Sequence, residues 1–186
     1  TFFCVGPHHN IEIKKTEEIY NLNKIQTFDF GYNKIDKLLI DQHKKKIDTH
    51  KQKKTLIIAP SWGKDCILEK NGNELISLLI NKDWNVVIRP HPDTIRLDKN
   101  NYLKLKNKFK SFSNIKFEEN ISGMSSFYLA DVMISDWSGV AFEFAFGLEK
   151  PVIFIDVPKK INNPDYDLYK IEAVEINLRK KIGEVI

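Results

Sequence analysis

Along the chain, brief apolar runs alternate with longer segments in which apolar positions recur every three or four residues. The brief runs are Phe2 to Val5, Thr27 to Phe30, Thr55 to Ala59, Val86 to Ile88, Ile115 to Phe117, Val132 to Ile134 and Val152 to Ile155. Each is too short for a helix, and turn residues such as Gly, Pro or Asn close most of them, so they read as strands. Helical spacing predicts helices over Ile11 to Leu22, Lys34 to Ile40, Glu74 to Ile80, Tyr102 to Phe109, Ser125 to Leu129 and Val140 to Phe146. A last one is expected in the middle of Leu168 to Ile182, with Glu172, Glu175, Arg179 and Lys180 exposed. The strands run apolar instead of alternating with polar residues, which fits burial on both faces. The expected fold class is therefore α/β, a doubly wound, mainly parallel sheet.

The segment DVMISDWSGVAFEFAFGLEKPVIFID, Asp131 to Asp156, organises this pattern. It reads as strand, polar turn, buried helix, strand, which is a βαβ unit. At the carboxyl end of a parallel strand, the free N–H groups and dipole of the following helix favour an anion, most often a phosphate. Ser138 and Gly139 fall in that turn, although a strand-to-helix turn uses Ser and Gly for capping alone. Asp136 either caps the turn as an Asx motif or touches a ligand. Glu143 is one turn into a helix otherwise made of Val, Ala and Phe, so it either faces a crevice, where polyol or ribose hydroxyls satisfy it, or forms the exposed stripe of that helix.

Two further loops follow predicted strands: Pro60-Ser61-Trp62-Gly63 and Arg89-Pro90-His91-Pro92. Carboxyl ends of parallel strands share one edge of the sheet, so all three loops are expected to line one crevice. Arg89 and His91 would bring donors suited to phosphate, and two prolines stiffen the backbone around His91. His91 is expected to act as a general acid or to stabilise a developing anionic oxygen, in preference to bonding a neighbouring strand end. Trp62 either stacks on a base or sugar or plugs the sheet's edge.

Composition narrows the field. With 29 Lys and Arg against 25 Asp and Glu, the chain is mildly basic and carries no nucleic-acid stripe. Cys4 and Cys66 lie far apart without metal or redox spacing, which suits free thiols in a reducing cytoplasm. His8 and His9 read as turn residues in preference to a metal site, since no carboxylate or cysteine stands at a helpful spacing. The lysine-rich stretch 43–54 reads as a solvated linker in preference to an anionic-lipid contact. It separates residues 1–42, the tail of a preceding domain and its connection, from a nucleotide-binding domain over 55–186. The first residue is Thr, and we read the chain as a piece of a longer protein.

Together APSWG (Ala59 to Gly63), RPHP (Arg89 to Pro92) and SDWSGVAFEFAFGLEKPVIFID (Ser135 to Asp156) resemble the carboxyl-terminal half of the CDP-glycerol glycerophosphotransferase family, the teichoic-acid and capsule enzymes of the TagF and TagB type. FGYNKIDKLL, Phe30 to Leu39, is similar to the family segment that joins its two halves. The resemblance implies a GT-B architecture, two Rossmann-like domains across a cleft, with this half holding a CDP-activated polyol as substrate. It implies a role in catalysis for His91, and donor binding by Ser135, Asp136, Ser138, Gly139 and Glu143; Ser61, Trp62 and Arg89 are expected to bind the donor with them from their place in the neighbouring loops. Also implied are a lipid-linked or polysaccharide acceptor, an amino-terminal domain of the same chain, no cofactor or metal, and a cytoplasmic setting at the inner face of the membrane. Gly63 stands where arginine is common and Asn33 where proline is common, so the identity of the transferred group stays open. A GT-B glycosyltransferase, a nucleotide-sugar 2-epimerase and a non-catalytic nucleotide-binding module are the alternatives.

Overall fold

The computed structural model describes residues 1–44, 53–120 and 123–186. Most of the expected stretch 43–54 lies outside the described residues. A small amino-terminal unit contains β1 (Phe2–Cys4), α1 (Pro7–Tyr20) and β2 (Thr27–Asp29), with the two strands parallel. The connecting helix α2 (Asn33–Lys44) leads to β3 (Lys54–Ile58). Then follow α3 (Ile67–Leu79), β4 (Trp84–Ile88), α4 (Pro92–Leu97), α5 (Lys99–Phe109), β5 (Ile115–Phe117) and α6 (Ser125–Leu129). The chain continues through β6 (Val132–Ser135), α7 (Val140–Leu148), β7 (Val152–Phe154), α8 (Tyr166–Tyr169), α9 (Val174–Ile182) and β8 (Gly183–Val185).

The main sheet has the order β5-β4-β3-β6-β7-β8, and every pairing in it is parallel. From β3 the chain first winds outward to β4 and β5, then returns to the other side of β3 and winds outward through β6, β7 and β8. The strand order thus reverses between β3 and β6. This is the doubly wound arrangement of a Rossmann-like fold.

Burial explains why the strands run apolar. Leu56 and Ile58 of β3 pack on one face with Ile67, Ile76, Leu105 and Phe109 from α3 and α5. Ile57, between them, points the other way and packs with Phe127, Met133, Phe144 and Leu148. Successive strand residues face opposite sides, so a strand covered twice has no polar position to alternate. The connecting helix α2 belongs to this packing. Its Leu38 is buried against α7, where a Cβ on Gly147 would come within 2.7 Å of Leu38 Cδ1, so only glycine lets the helices approach so closely.

The carboxyl-terminal region departs from expectation. In place of one helix there are α8 and α9, followed by the unexpected edge strand β8. Arg179, expected in solvent, is buried: its guanidinium lies 3.8 Å from the centre of the Trp137 ring, and Nη1 donates to Asp156 Oδ1 at 3.2 Å. β8 extends the sheet beside β7 and draws the face of α9 that carries Arg179 inward. Arginine tolerates that site because its planar cation stacks on an indole. α1 also begins earlier than helical spacing suggests, with Pro7 in its first turn, and α4 is an addition formed directly behind His91.

Candidate functional site

Three of the expected loops do meet, and a buried carboxylate joins two of them. Asp136, at the end of β6, is fully buried; its Oδ1 accepts the Ser61 N–H at 2.6 Å and its Oδ2 the Ile67 N–H at 3.0 Å. Ile67 opens α3, whose own preceding residue Cys66 supplies no side-chain cap. Asp136 therefore caps α3 from a different strand and holds the Pro60–Gly63 loop against the Ser135–Gly139 turn. Ser135, also fully buried, donates its hydroxyl to the Ala59 carbonyl at 2.8 Å, tying the carboxyl ends of β6 and β3 together. Both residues hold the crevice in shape from behind its walls, so neither side chain is open to a ligand.

The surface that these props support lies at the reversal of strand order. A cavity of about 440 Å³ is lined by Ser61, Trp62, His91, Trp137, Ser138 and Gly139. A smaller one of about 210 Å³ shares His91 and Ser138 with it and adds Arg89, Lys34 and Glu143. A third, of about 550 Å³, shares Gly139 and continues toward His8, His9 and Tyr32 of the amino-terminal side. The amino terminus of α7 is the common point. Gly139 is exposed, has ordinary helical φ of −59°, and a Cβ there would meet nothing within 4 Å. Its backbone conformation needs no glycine, and the space in front of it is open.

His91 caps α4: its Nδ1 accepts the Asp93 N–H at 3.1 Å. That bond puts the ring proton on Nε2 and leaves a neutral imidazole that still donates. Burial lowers its pKa from the ordinary 6.5; Asp93 opposes the shift and Lys160 adds to it. Arg89, which lines the smaller cavity, is held by partners of its own. It is buried, and its Nη1 donates to Glu118 Oε2 at 2.9 Å, to the Gly123 carbonyl at 2.8 Å and to the Ser126 hydroxyl at 3.1 Å. Its charge is matched by Glu118, so it braces the wall behind His91.

Glu143 is buried and is not an exposed stripe. Its Oε1 accepts from the Tyr32 hydroxyl and from Lys34 Nζ, each at 2.8 Å, and Lys34 Nζ lies 2.7 Å from Oε2. The connecting segment is thereby clipped to α7 just behind the Ser138–Gly139 turn. Burial first, and the Glu143 hydrogen bond second, push the Tyr32 pKa up to about 12. Trp62 has one face covered, since Lys160 Nζ lies 3.1 Å from its ring centre.

Comparison with known proteins adds the family. Residues 2–169 match the model described as CDP-Glycerol:Poly(glycerophosphate) glycerophosphotransferase. The chain belongs to this family. It is also similar to the minor teichoic acid biosynthesis protein GgaB of Bacillus subtilis (strain 168), 26% identical over 182 residues, covering 81% of this chain and 18% of that protein. The chain therefore spans less than a fifth of the length of that relative.

Within this glycerophosphotransferase family frame, the departure at Gly63 has a local cause. Its φ of +102° is one that L side chains rarely adopt, so this version of the loop turns where a side chain would be strained. Sequence reasoning missed the fourth loop, after β7, whose Lys159, Lys160, Asn162 and Asn163 also line the 440 Å³ cavity. The signal was present: that loop also leaves the carboxyl end of a parallel strand. Among the described residues no helix is long and apolar enough to cross a membrane.

Proposed function

We propose that this chain is the donor-binding half of a GT-B transferase that moves a polyol phosphate, glycerol phosphate or a relative, from a CDP-activated donor to an acceptor hydroxyl. The observation that carries the reading is the open amino terminus of α7 at Ser138–Gly139, set beside a neutral His91 where the strand order reverses, within a chain of the glycerophosphotransferase family. In this reading the diphosphate lies against Ser138 and Gly139, with the nucleoside in the 440 Å³ cavity. The acceptor hydroxyl approaches from the 550 Å³ cavity on the other side of Gly139. Its oxygen forms a bond to the β-phosphorus, the bond from that phosphorus to the bridging oxygen breaks, and CMP leaves with the electron pair, while the acceptor's proton passes to the departing phosphate or to water. Charge builds on the phosphoryl oxygens. The Nε2–H of His91 and the first N–H groups of α7 offset it as fixed donors, and Glu143, through Lys34, steadies the polyol or ribose end. The acceptor is a lipid-linked or capsular polymer, another domain of the protein supplies the facing wall, and the work is done at the cytoplasmic face of the membrane.

Thermal unfolding of this chain in the presence of CDP, UDP and GDP tests the reading. Saturation at a hundred times the dissociation constant adds about 2.7 kcal/mol of stability, and the cytidine compound is expected to shift the midpoint most. In the full-length protein, CMP is the expected product and His91→Ala removes it. A preference for UDP or GDP, or release of a nucleoside diphosphate with transfer of a sugar, would replace this function with that of a glycosyltransferase. Unchanged activity in His91→Ala would remove the catalytic role.

A further inference from the structure

The loop after β7 brings a cation to the donor cavity that no expected motif contains. Lys160 is exposed along its stem, yet its ammonium is held at two points: Nζ donates to the Trp62 carbonyl at 3.0 Å and lies 3.1 Å from the centre of the Trp62 ring. Among the described residues it makes no ion pair with a carboxylate; Asp136, Asp93 and Glu69 act on it only at longer range. Ser61, Trp62, His91, Ser138 and Gly139 line the same cavity, and the Trp62 and His91 rings are 6.1 Å apart. A carbonyl and a π face bind an ammonium less strongly than a phosphate does, and both can be given up by rotation of a flexible four-carbon stem.

We propose that Lys160 is the residue that grips the donor's diphosphate, waiting on the Trp62 ring in the free protein and swinging onto the phosphates when a nucleoside diphosphate binds. The role of Trp62 is then to park this cation, which occupies the face that would otherwise stack a base. The positive charge also stabilises the α-phosphate as it becomes the leaving group of phosphoryl transfer. This rests on reading the cavity as the donor site, and deepens it by naming the residue that distinguishes a diphosphate from a nucleoside.

Calorimetric titration of this chain with CDP, cytidine and inorganic pyrophosphate tests the assignment in the parent, Lys160→Met and Lys160→Arg. Lys160→Met is expected to weaken CDP and pyrophosphate at least tenfold and leave cytidine within twofold, and Lys160→Arg to recover most of the loss. CDP is also expected to change tryptophan emission in the parent and not in Trp62→Phe, because the ammonium leaves that ring. Lys160→Met binding CDP like the parent, or losing CDP and cytidine by the same factor, would overturn the proposal. So would failure of the parent to bind either CDP or pyrophosphate. Should the parent bind UDP or GDP in preference to CDP, with the diphosphate contribution still lost in Lys160→Met, the cytidine reading falls and the role of Lys160 stands.

Discussion

Replacing Asp136 with alanine should unfold the crevice from behind. The carboxylate is fully buried and accepts two backbone N–H groups, from Ser61 and Ile67, that belong to a loop and a helix on the far side of β3 from its own strand's connection. Alanine leaves both donors without a partner in a site closed to water. Each buried N–H left unpaired costs about 1–3 kcal/mol, and bonds to a charged acceptor lie at the upper end. The expected loss is therefore about 3–5 kcal/mol, among the larger effects a single substitution produces. For a chain of this size each kcal/mol lowers the thermal midpoint by about 2–4 °C, so a drop on the order of 6–20 °C is expected. Asparagine keeps one acceptor oxygen but turns an N–H₂ toward the second N–H, so Asp136→Asn should lose about half or more of that stability. Urea denaturation followed by circular dichroism separates the cases, with the midpoint falling and the slope unchanged in both variants. An unfolding free energy for Asp136→Ala within about 1 kcal/mol of the parent's, or one above that of Asp136→Asn, would refute the argument that this carboxylate gathers the loops.

Other consequences are open to measurement. The His91 ring, followed by its proton resonances in NMR, should titrate below 6.5; Asp93→Asn should lower that value further and Lys160→Met should raise it. Because the folded pKa lies below the unfolded one, the neutral ring favours the fold above the unfolded value, and this contribution disappears as the pH falls through the folded value. A resonance titrating above 6.5 would contradict the burial argument. Glu143→Gln should bring the Tyr32 hydroxyl down from about 12 toward the ordinary 10 in an ultraviolet titration, but not all the way, because burial is the larger cause; an unmoved value would remove Glu143 from the account. Gly139→Ala should leave the thermal midpoint unchanged or slightly raised while weakening CDP severalfold, since the new methyl enters open space on an allowed backbone. Gly63→Ala, at φ of +102°, should instead cost about 1–2 kcal/mol of stability. If Gly139→Ala bound CDP like the parent, the space in front of Gly139 would not be the ligand's.

Much of this architecture follows from local pattern. Runs such as Leu56-Ile57-Ile58 are apolar at every position because both faces of the strand are covered, and that fact is written residue by residue. The rule that ligands gather at the carboxyl ends of parallel strands then brought Ser61, His91, Ser138 and Gly139 together before any contact was known, and the fold puts them round one cavity. What a side chain does there is a different matter, because that depends on partners far away in sequence. Arg89 is matched by Glu118, Glu143 by Lys34 and Tyr32, and Asp136 reaches Ser61 across 75 positions. Arg179 reads as a surface residue until β8 adds a sheet edge and α9 packs its guanidinium onto Trp137. The order of hydrophobic and polar residues is a one-dimensional record of which faces are buried, and so it determined the sheet and its rim. Charge pairing is set by three-dimensional proximity, so only the tertiary structure decided which polar groups line the cavity and which are held behind its walls.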